Sequence, residues 1–125
     1  MKGLKALAAT VFGVALLASA APATAGAAAY KHYVGCGVTE HTVPAHACSK
    51  SSKKGAFFES LNADVVYTVC VKFPTGKRLC SDEPQAATKG TLYVNKITSN
   101  IPGKHRVTWF VNGKRVGSYY FTVGK

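Results

Sequence analysis

His105-Arg106-Val107-Thr108-Trp109-Phe110-Val111, then Asn112-Gly113-Lys114, then Arg115-Val116-Gly117-Ser118-Tyr119-Tyr120-Phe121-Thr122-Val123 is the stretch on which the fold turns. Two runs rich in β-branched and aromatic residues flank an Asn-Gly pair, a strong local sign of a β-hairpin. The pairing register is the open question. A plain two-residue turn puts Val111 opposite Lys114 and Val107 opposite Ser118, which splits the apolar faces. A shift of one residue, through a three-residue loop or a bulge, puts Val107 opposite Tyr119 and His105 opposite Phe121. Burial favours the shifted register, because a one-residue slip moves every side chain to the other face. Trp109 then faces Gly117, whose missing side chain leaves room for the indole.

The same period of two continues upstream. Val65, Tyr67, Val69, Val71 and Phe73 share one face of a strand, while Val66, Thr68, Cys70 and Lys72 share the other. That alternation describes a half-buried strand. Lys77-Arg78-Leu79-Cys80 returns beside it after Pro74-Thr75-Gly76. Ala56 to Leu61 reads as a strand with Phe57 and Leu61 on one face, and Thr91 to Ile97 as another. Ser81 to Gly90, with Asp82, Glu83 and Pro84, reads as a connecting loop. Residues 26–54 read as an irregular N-terminal region in which Tyr30-Lys31-His32-Tyr33-Val34 could form a short first strand, and residues 55–125 as the body. No segment beyond the N-terminal apolar run has a helical period. About five to seven short strands joined by Gly- and Pro-bearing turns predict an all-β, small antiparallel sandwich, with Val69, Val107, Trp109 and Phe121 in its core.

Four cysteines, Cys36, Cys48, Cys70 and Cys80, can be paired in three ways. If Pro74-Thr75-Gly76 is the hairpin loop, Cys70 falls directly opposite Cys80, at a separation a disulfide can span. Cys36 is then left for Cys48, closing a loop over Gly37–Ala47. Zinc sites built on cysteine show a tight Cys-x2-4-Cys knuckle, which is missing here. His32, His41, His46 and His105 are therefore expected as loop and surface residues, with no metal and no cofactor.

The N-terminus supplies the compartment. Met1-Lys2-Gly3-Leu4-Lys5, the apolar run Ala6–Ala18 and the small residues Ser19–Ala29 have the layout of a secretory signal peptide. Cleavage after Ala23-Thr24-Ala25 makes residues 1–25 the leader and leaves Gly26–Lys125, 100 residues, with Ala20 and Ala29 preceding alternative cuts. An even cysteine count in a short exported chain agrees with two disulfides. No later stretch approaches the ~20 apolar residues that span a bilayer, so no transmembrane anchor is expected after cleavage. One hundred residues support a single modest core, which excludes large multidomain enzymes.

Pro102-Gly103-Lys104-His105-Arg106-Val107-Thr108-Trp109-Phe110-Val111-Asn112-Gly113-Lys114-Arg115-Val116-Gly117, ending Phe121-Thr122-Val123, resembles the last hairpin of immunoglobulin-like modules in secreted bacterial proteins. The strand Val65–Phe73 with its short return resembles their middle hairpin. The resemblance covers roughly Ala56–Lys125 and implies an immunoglobulin-like β-sandwich. It implies no activity, since one sandwich serves many functions. The Cys…Trp…Cys spacing of antibody domains is absent, because Trp109 follows all four cysteines.

Sixteen Lys and Arg stand against five Asp and Glu, a net charge of +11; without Lys2 and Lys5 the balance is fourteen against five, or +9. Glu40, Glu59, Asp64, Asp82 and Glu83 are the whole acidic set, and nothing pairs two of them across a scissile bond. No nucleophile turn supports a Ser-His-Asp triad, and oxidised cysteines offer no thiolate. The expectation is a secreted protein that is not an enzyme. Its cations cluster: Lys50, Lys53 and Lys54 in one loop, Lys72, Lys77 and Arg78 around another, and Lys104, Arg106, Lys114 and Arg115 on the last hairpin. Such cations can simply keep a small domain soluble and discourage edge pairing. They can also draw in an anionic envelope polymer, a lipid headgroup or an acidic protein. The candidate anion-binding residues are Lys50, Lys53, Lys54, Lys77, Arg78, Lys104, Arg106, Lys114 and Arg115. Nucleic acid is disfavoured for an exported chain, because Tyr119, Tyr120 and Phe110 have a core explanation and base stacking needs exposed aromatics. The alternatives are a secreted protease inhibitor presenting Thr39-Glu40-His41-Thr42-Val43-Pro44, an antimicrobial protein, or a purely structural accessory domain. Sequence alone leaves the oligomeric state open.

Overall fold

A computed structural model describes residues 29–125, so the expected signal peptide at residues 1–25 lies outside the described residues. The described residues form nine strands: β1 (Tyr30–Gly35), β2 (Ala47–Cys48), β3 (Lys54–Ser60), β4 (Val65–Lys72), β5 (Arg78–Cys80), β6 (Gln85–Ala87), β7 (Leu92–Ile97), β8 (Gly103–Val111) and β9 (Lys114–Val123). They make two sheets. One has the order β1-β3-β7; the other runs β2-β9-β8-β4-β5, with β6 also pairing β4. All pairings are antiparallel except β2 with β9, which is parallel.

The last hairpin combines both features weighed for it. Asn112 (φ 51°) and Gly113 (φ 81°) are both left-handed, as a type I′ turn requires, and Val111 does lie opposite Lys114. A bulge between Trp109 and Phe110 then shifts the ladder, so Trp109 faces Gly117, Val107 faces Tyr119 and His105 faces Phe121. The space above Gly117 is not taken by the indole, as expected, but by the His32 ring from β1. A Cβ at Gly117 would collide with that ring, which also packs on Trp109 with centroids 5.1 Å apart.

Tyr67, Val69, Val107, Trp109, Phe121 and Val123 supply one side of the core, and Val34, Ala56, Phe58 and Ile97 the other. An aromatic series crosses between the sheets from Tyr30 to Phe58 (5.6 Å), Tyr67 (4.3 Å) and Tyr93 (6.3 Å). The Tyr67 hydroxyl donates to Asn95 Oδ1 at 2.8 Å, and the Asn95 amide donates to Gln85 Oε1 at 2.6 Å. Burial pushes the Tyr67 phenol up to about 12, so it remains a neutral donor.

Three expectations are corrected. The expected first strand at Tyr30–Val34 does form, as β1, but it does not belong to an irregular region: it pairs with β3 over six positions within the sandwich. On β3 the core face is Ala56, Phe58 and Ser60; Phe57 is buried on the opposite face under Tyr33, stacked at 4.8 Å, and Leu61 lies beyond the strand, exposed. Alternation alone could not rank two adjacent phenylalanines. The 81–90 loop also contains β6, whose Ala87 enters the core.

The two disulfides join Cys36 to Cys48 and Cys70 to Cys80. Cys36 follows β1 in one sheet and Cys48 lies in β2 of the other, so the first bridge ties the sheets together where the chain crosses between them. The second closes the β4–β5 edge. Phe73 N donates to Lys77 O (2.8 Å) and Ser81 N to Val69 O (2.9 Å), which leaves Cys70–Cys80 and Lys72–Arg78 at non-hydrogen-bonded positions, where side chains approach most closely.

Gly117→Ala is expected to lose about 1–3 kcal/mol in urea denaturation, the usual range for overpacking. His32→Ala should restore part of that loss in the double variant, because the two positions share one space. Burial lowers the pKa of His32, and burial together with the Lys54 charge lowers that of His105 below the ordinary 6.5. The unfolded chain therefore takes up protons first. Stability should be greatest above pH 6.5 and fall as the pH drops through the lowered pKa values, with a shallower fall in His32→Gln.

Candidate anion-binding face

The register that buries His105, Val107, Trp109 and Val111 turns Lys104, Arg106, Thr108 and Phe110 to the outside of the six-stranded sheet. On the neighbours the outward positions are Lys72 on β4, Arg78 on β5, and Arg115, Ser118 and Tyr120 on β9. The ladders align them: Arg78 lies opposite Lys72, Lys72 opposite Arg106, and Arg106 opposite Tyr120. Three cations thus stand side by side in one cross-strand row. Directly opposed like charges on a sheet destabilise it by up to ~1 kcal/mol per pair. No strand of this sheet carries an Asp or Glu to offset that cost.

Aromatic rings lie among the cations. The Lys104 ammonium is 4.5 Å from the centroid of Tyr120, and the Arg78 guanidinium carbon is 5.6 Å from that of Phe110. Both are cation–π contacts. Arg78 Nη2 also reaches the Cys70 sulfur at 3.4 Å, so the second disulfide helps position this side chain. Two adjoining depressions result. One of about 190 Å³ is lined by Lys72, Arg78, Arg106, Arg115, Thr108 and Phe110, over Cys70; a wider one of about 370 Å³ shares Lys72 and Arg106 and continues to Lys104 and Tyr120. Arg106 Nε is buried and has no hydrogen-bond partner among the described residues.

Of the candidate cations, the fold gathers Arg78, Lys104, Arg106 and Arg115. Lys72, noted in sequence only as flanking a loop, sits at their centre. Lys50 and Lys53 are exposed in the β2–β3 connection and line neither depression. Lys77 and Lys114 are exposed, but they pair with Phe73 and Val111 and so fall, by alternation, on the opposite side from Arg78 and Arg115. Lys54 is a correction: it is 1% exposed, and its ammonium donates to the carbonyls of Ser52 (2.8 Å) and Lys50 (3.3 Å). Burial lowers its pKa, and its role is to satisfy backbone carbonyls of the turn. The core explanation for the aromatics holds for Tyr119, which packs against the core and stacks on His46 at 4.3 Å. It fails for Tyr120, 46% exposed, and for outward-facing Phe110.

The histidines are not all loop and surface residues either. His105 is buried, its Nδ1–H donating to Gly103 O (3.1 Å) while Nε2 accepts from the Ser99 hydroxyl (2.8 Å). His46 Nδ1 donates to Tyr120 O at 2.6 Å. In the Cys36–Cys48 loop, Thr42 N donates to Thr39 O at 3.1 Å, which turns the segment back on itself and leaves Val43 70% exposed. The cationic face offers donors, fixed positive charge and ring surfaces, which is the chemistry of anion recognition.

The chain has the immunoglobulin-like fold. It resembles the crystal structure of an immunoglobulin-like protein from Pseudomonas aeruginosa, at 14% identity and a TM-score of 0.50, over 75% of this chain and 90% of that one. A second likeness is to an alkylpurine DNA glycosylase from Pseudomonas fluorescens bound to DNA containing an abasic-site analogue, at 17% identity and a TM-score of 0.41, over 75% of this chain and 30% of that one. No family model and no curated protein matches the sequence.

Lys54→Ala should lower stability by about 1–3 kcal/mol, the cost of leaving buried polar groups unsatisfied. Lys53→Ala one position earlier should stay within about 0.5 kcal/mol, as exposed substitutions usually do. Thermal denaturation of the two variants beside the parent checks both.

Proposed function

We propose that this protein is a secreted, non-catalytic immunoglobulin-like module that binds an anionic partner of the cell envelope or the extracellular space through the outer face of its six-stranded sheet. The observation that carries the reading is the Arg78–Lys72–Arg106 row, on a sheet whose strands contain no carboxylate. Like charges held in register cost folding energy that an anionic partner would offset. The signal-peptide pattern at residues 1–25 supports export, as do two disulfides, which persist in oxidising compartments. The dispersed carboxylates and inward-turned His105 support a binding role rather than an acid–base one.

Binding to envelope material from the producing organism is measured across salt concentrations for two variants with equal charge removed. In one, Lys72, Arg78, Arg106 and Arg115 become Gln; in the other, Lys31, Lys50, Lys53 and Lys89 do. The first should lose on the order of 10-fold or more in low-salt affinity and most of its salt dependence, while the second stays close to the parent. Equal losses in both would refute a dedicated face.

A further inference from the structure

The chain has thirteen lysines and only three arginines, Arg78, Arg106 and Arg115. They are far apart in sequence, on β5, β8 and β9, yet all three line the same depression of about 190 Å³, together with Lys72. Lysine would serve for solubility or diffuse attraction, and this chain uses it everywhere else. Arginine differs in presenting a planar fork of donors that matches the oxygens of a phosphate or sulfate group. We infer that this depression is a site for the phosphate or sulfate groups of an anionic ligand, in preference to carboxylates. The inference rests on the proposed anion-binding role of the face and specifies its chemistry.

The geometry shows how such a group would be held. Lys72 and Arg106 are opposed on adjacent strands and Arg78 is opposed to Lys72 on its other side, so three neighbouring strands each contribute a cation to the lining of one depression. Cross-strand Cβ separations of about 4.5–5.5 Å suit side chains converging on a single group. Arg115, opposite Phe110, and Thr108 complete the lining. Arg106 Nε, buried without a partner among the described residues, is a donor to which an oxyanion would provide an acceptor. A carboxylate has two oxygens and one charge and can engage one guanidinium fork fully. The oxygens of a tetrahedral phosphate or sulfate, ester oxygens included, project out of a single plane and can engage donors from several strands.

The test uses the intact protein and probes of matched charge: polyphosphate, dextran sulfate, vesicles containing phosphatidylglycerol, and polygalacturonate as the carboxylate polymer. Affinities are measured at one ionic strength for the parent and for the charge-conserving variants Arg106→Lys and Arg78→Lys, with circular dichroism and thermal denaturation confirming that each is folded. At least one phosphate- or sulfate-bearing probe should bind about 10-fold or more tightly than polygalacturonate, and both Lys variants should lose that preference while still binding polygalacturonate. Whichever probe shows the Arg-dependent preference identifies the source of the group. Parity between all polyanions, unaffected by the Lys variants, would overturn this inference while leaving a general anion-binding face intact. Failure of every probe to bind at low salt would overturn both.

Discussion

The bulge between Trp109 and Phe110 is the constraint on which the rest of the molecule depends. Below it, His105, Val107 and Trp109 point into the sandwich beside Phe121, Tyr119 and Gly117. Above it, the two-residue Asn112-Gly113 turn is retained. Without the extra residue, β9 would slip by one and expose Phe121 and Tyr119 while turning Ser118 and Tyr120 inward. The bulge also keeps Arg115 on the outer face with Arg106, although its odd position in the strand would otherwise place it with the core set. Core and cationic face are two sides of one register.

A core this small is supported by covalent ties, and their placement departs from antibody domains, where the inter-sheet bridge packs on a buried Trp at the centre of the sandwich. Here the centre is filled by Trp109 with the His32 ring tilted against it, and His32 occupies the space that Gly117 leaves open. The Cys36–Cys48 bridge holds the chain where it crosses from one sheet to the other. The Cys70–Cys80 bridge holds the short β5 against β4 and so fixes Arg78 opposite Lys72. Each can contribute ~2–4 kcal/mol by restricting the unfolded chain. The second also helps build the candidate site.

Much of this architecture was legible in the sequence, because it is written in period two. The β4 faces, the shifted hairpin register and the opposition of Cys70 and Cys80 all follow from alternation and turn length. What alternation misses is anything decided by a third element. Phe57 is covered from its outer side by Tyr33, so two adjacent phenylalanines are both buried and the core face of β3 cannot be read locally. Lys54 looks like one more surface lysine until the carbonyls it satisfies are known. The gathering of Arg78, Arg106 and Arg115 requires the strand order β5-β4-β8-β9, which no local pattern encodes. One sequence signal could have pointed to it: the chain uses arginine only three times, and two of those, Arg78 and Arg106, fall two residues or one cross-strand step from an outward-facing position.

The central claim is that the outer face between β5 and β9 receives an anion, and residue-resolved NMR during a titration with polyphosphate tests it most directly. Shifts are expected to concentrate on Lys72, Arg78, Thr108, Phe110 and the guanidinium signals of Arg106 and Arg115, and to saturate together. Shifts of equal size at Lys31, Lys50, Lys53, Lys89 and Lys96, without saturation at the arginines, would contradict it.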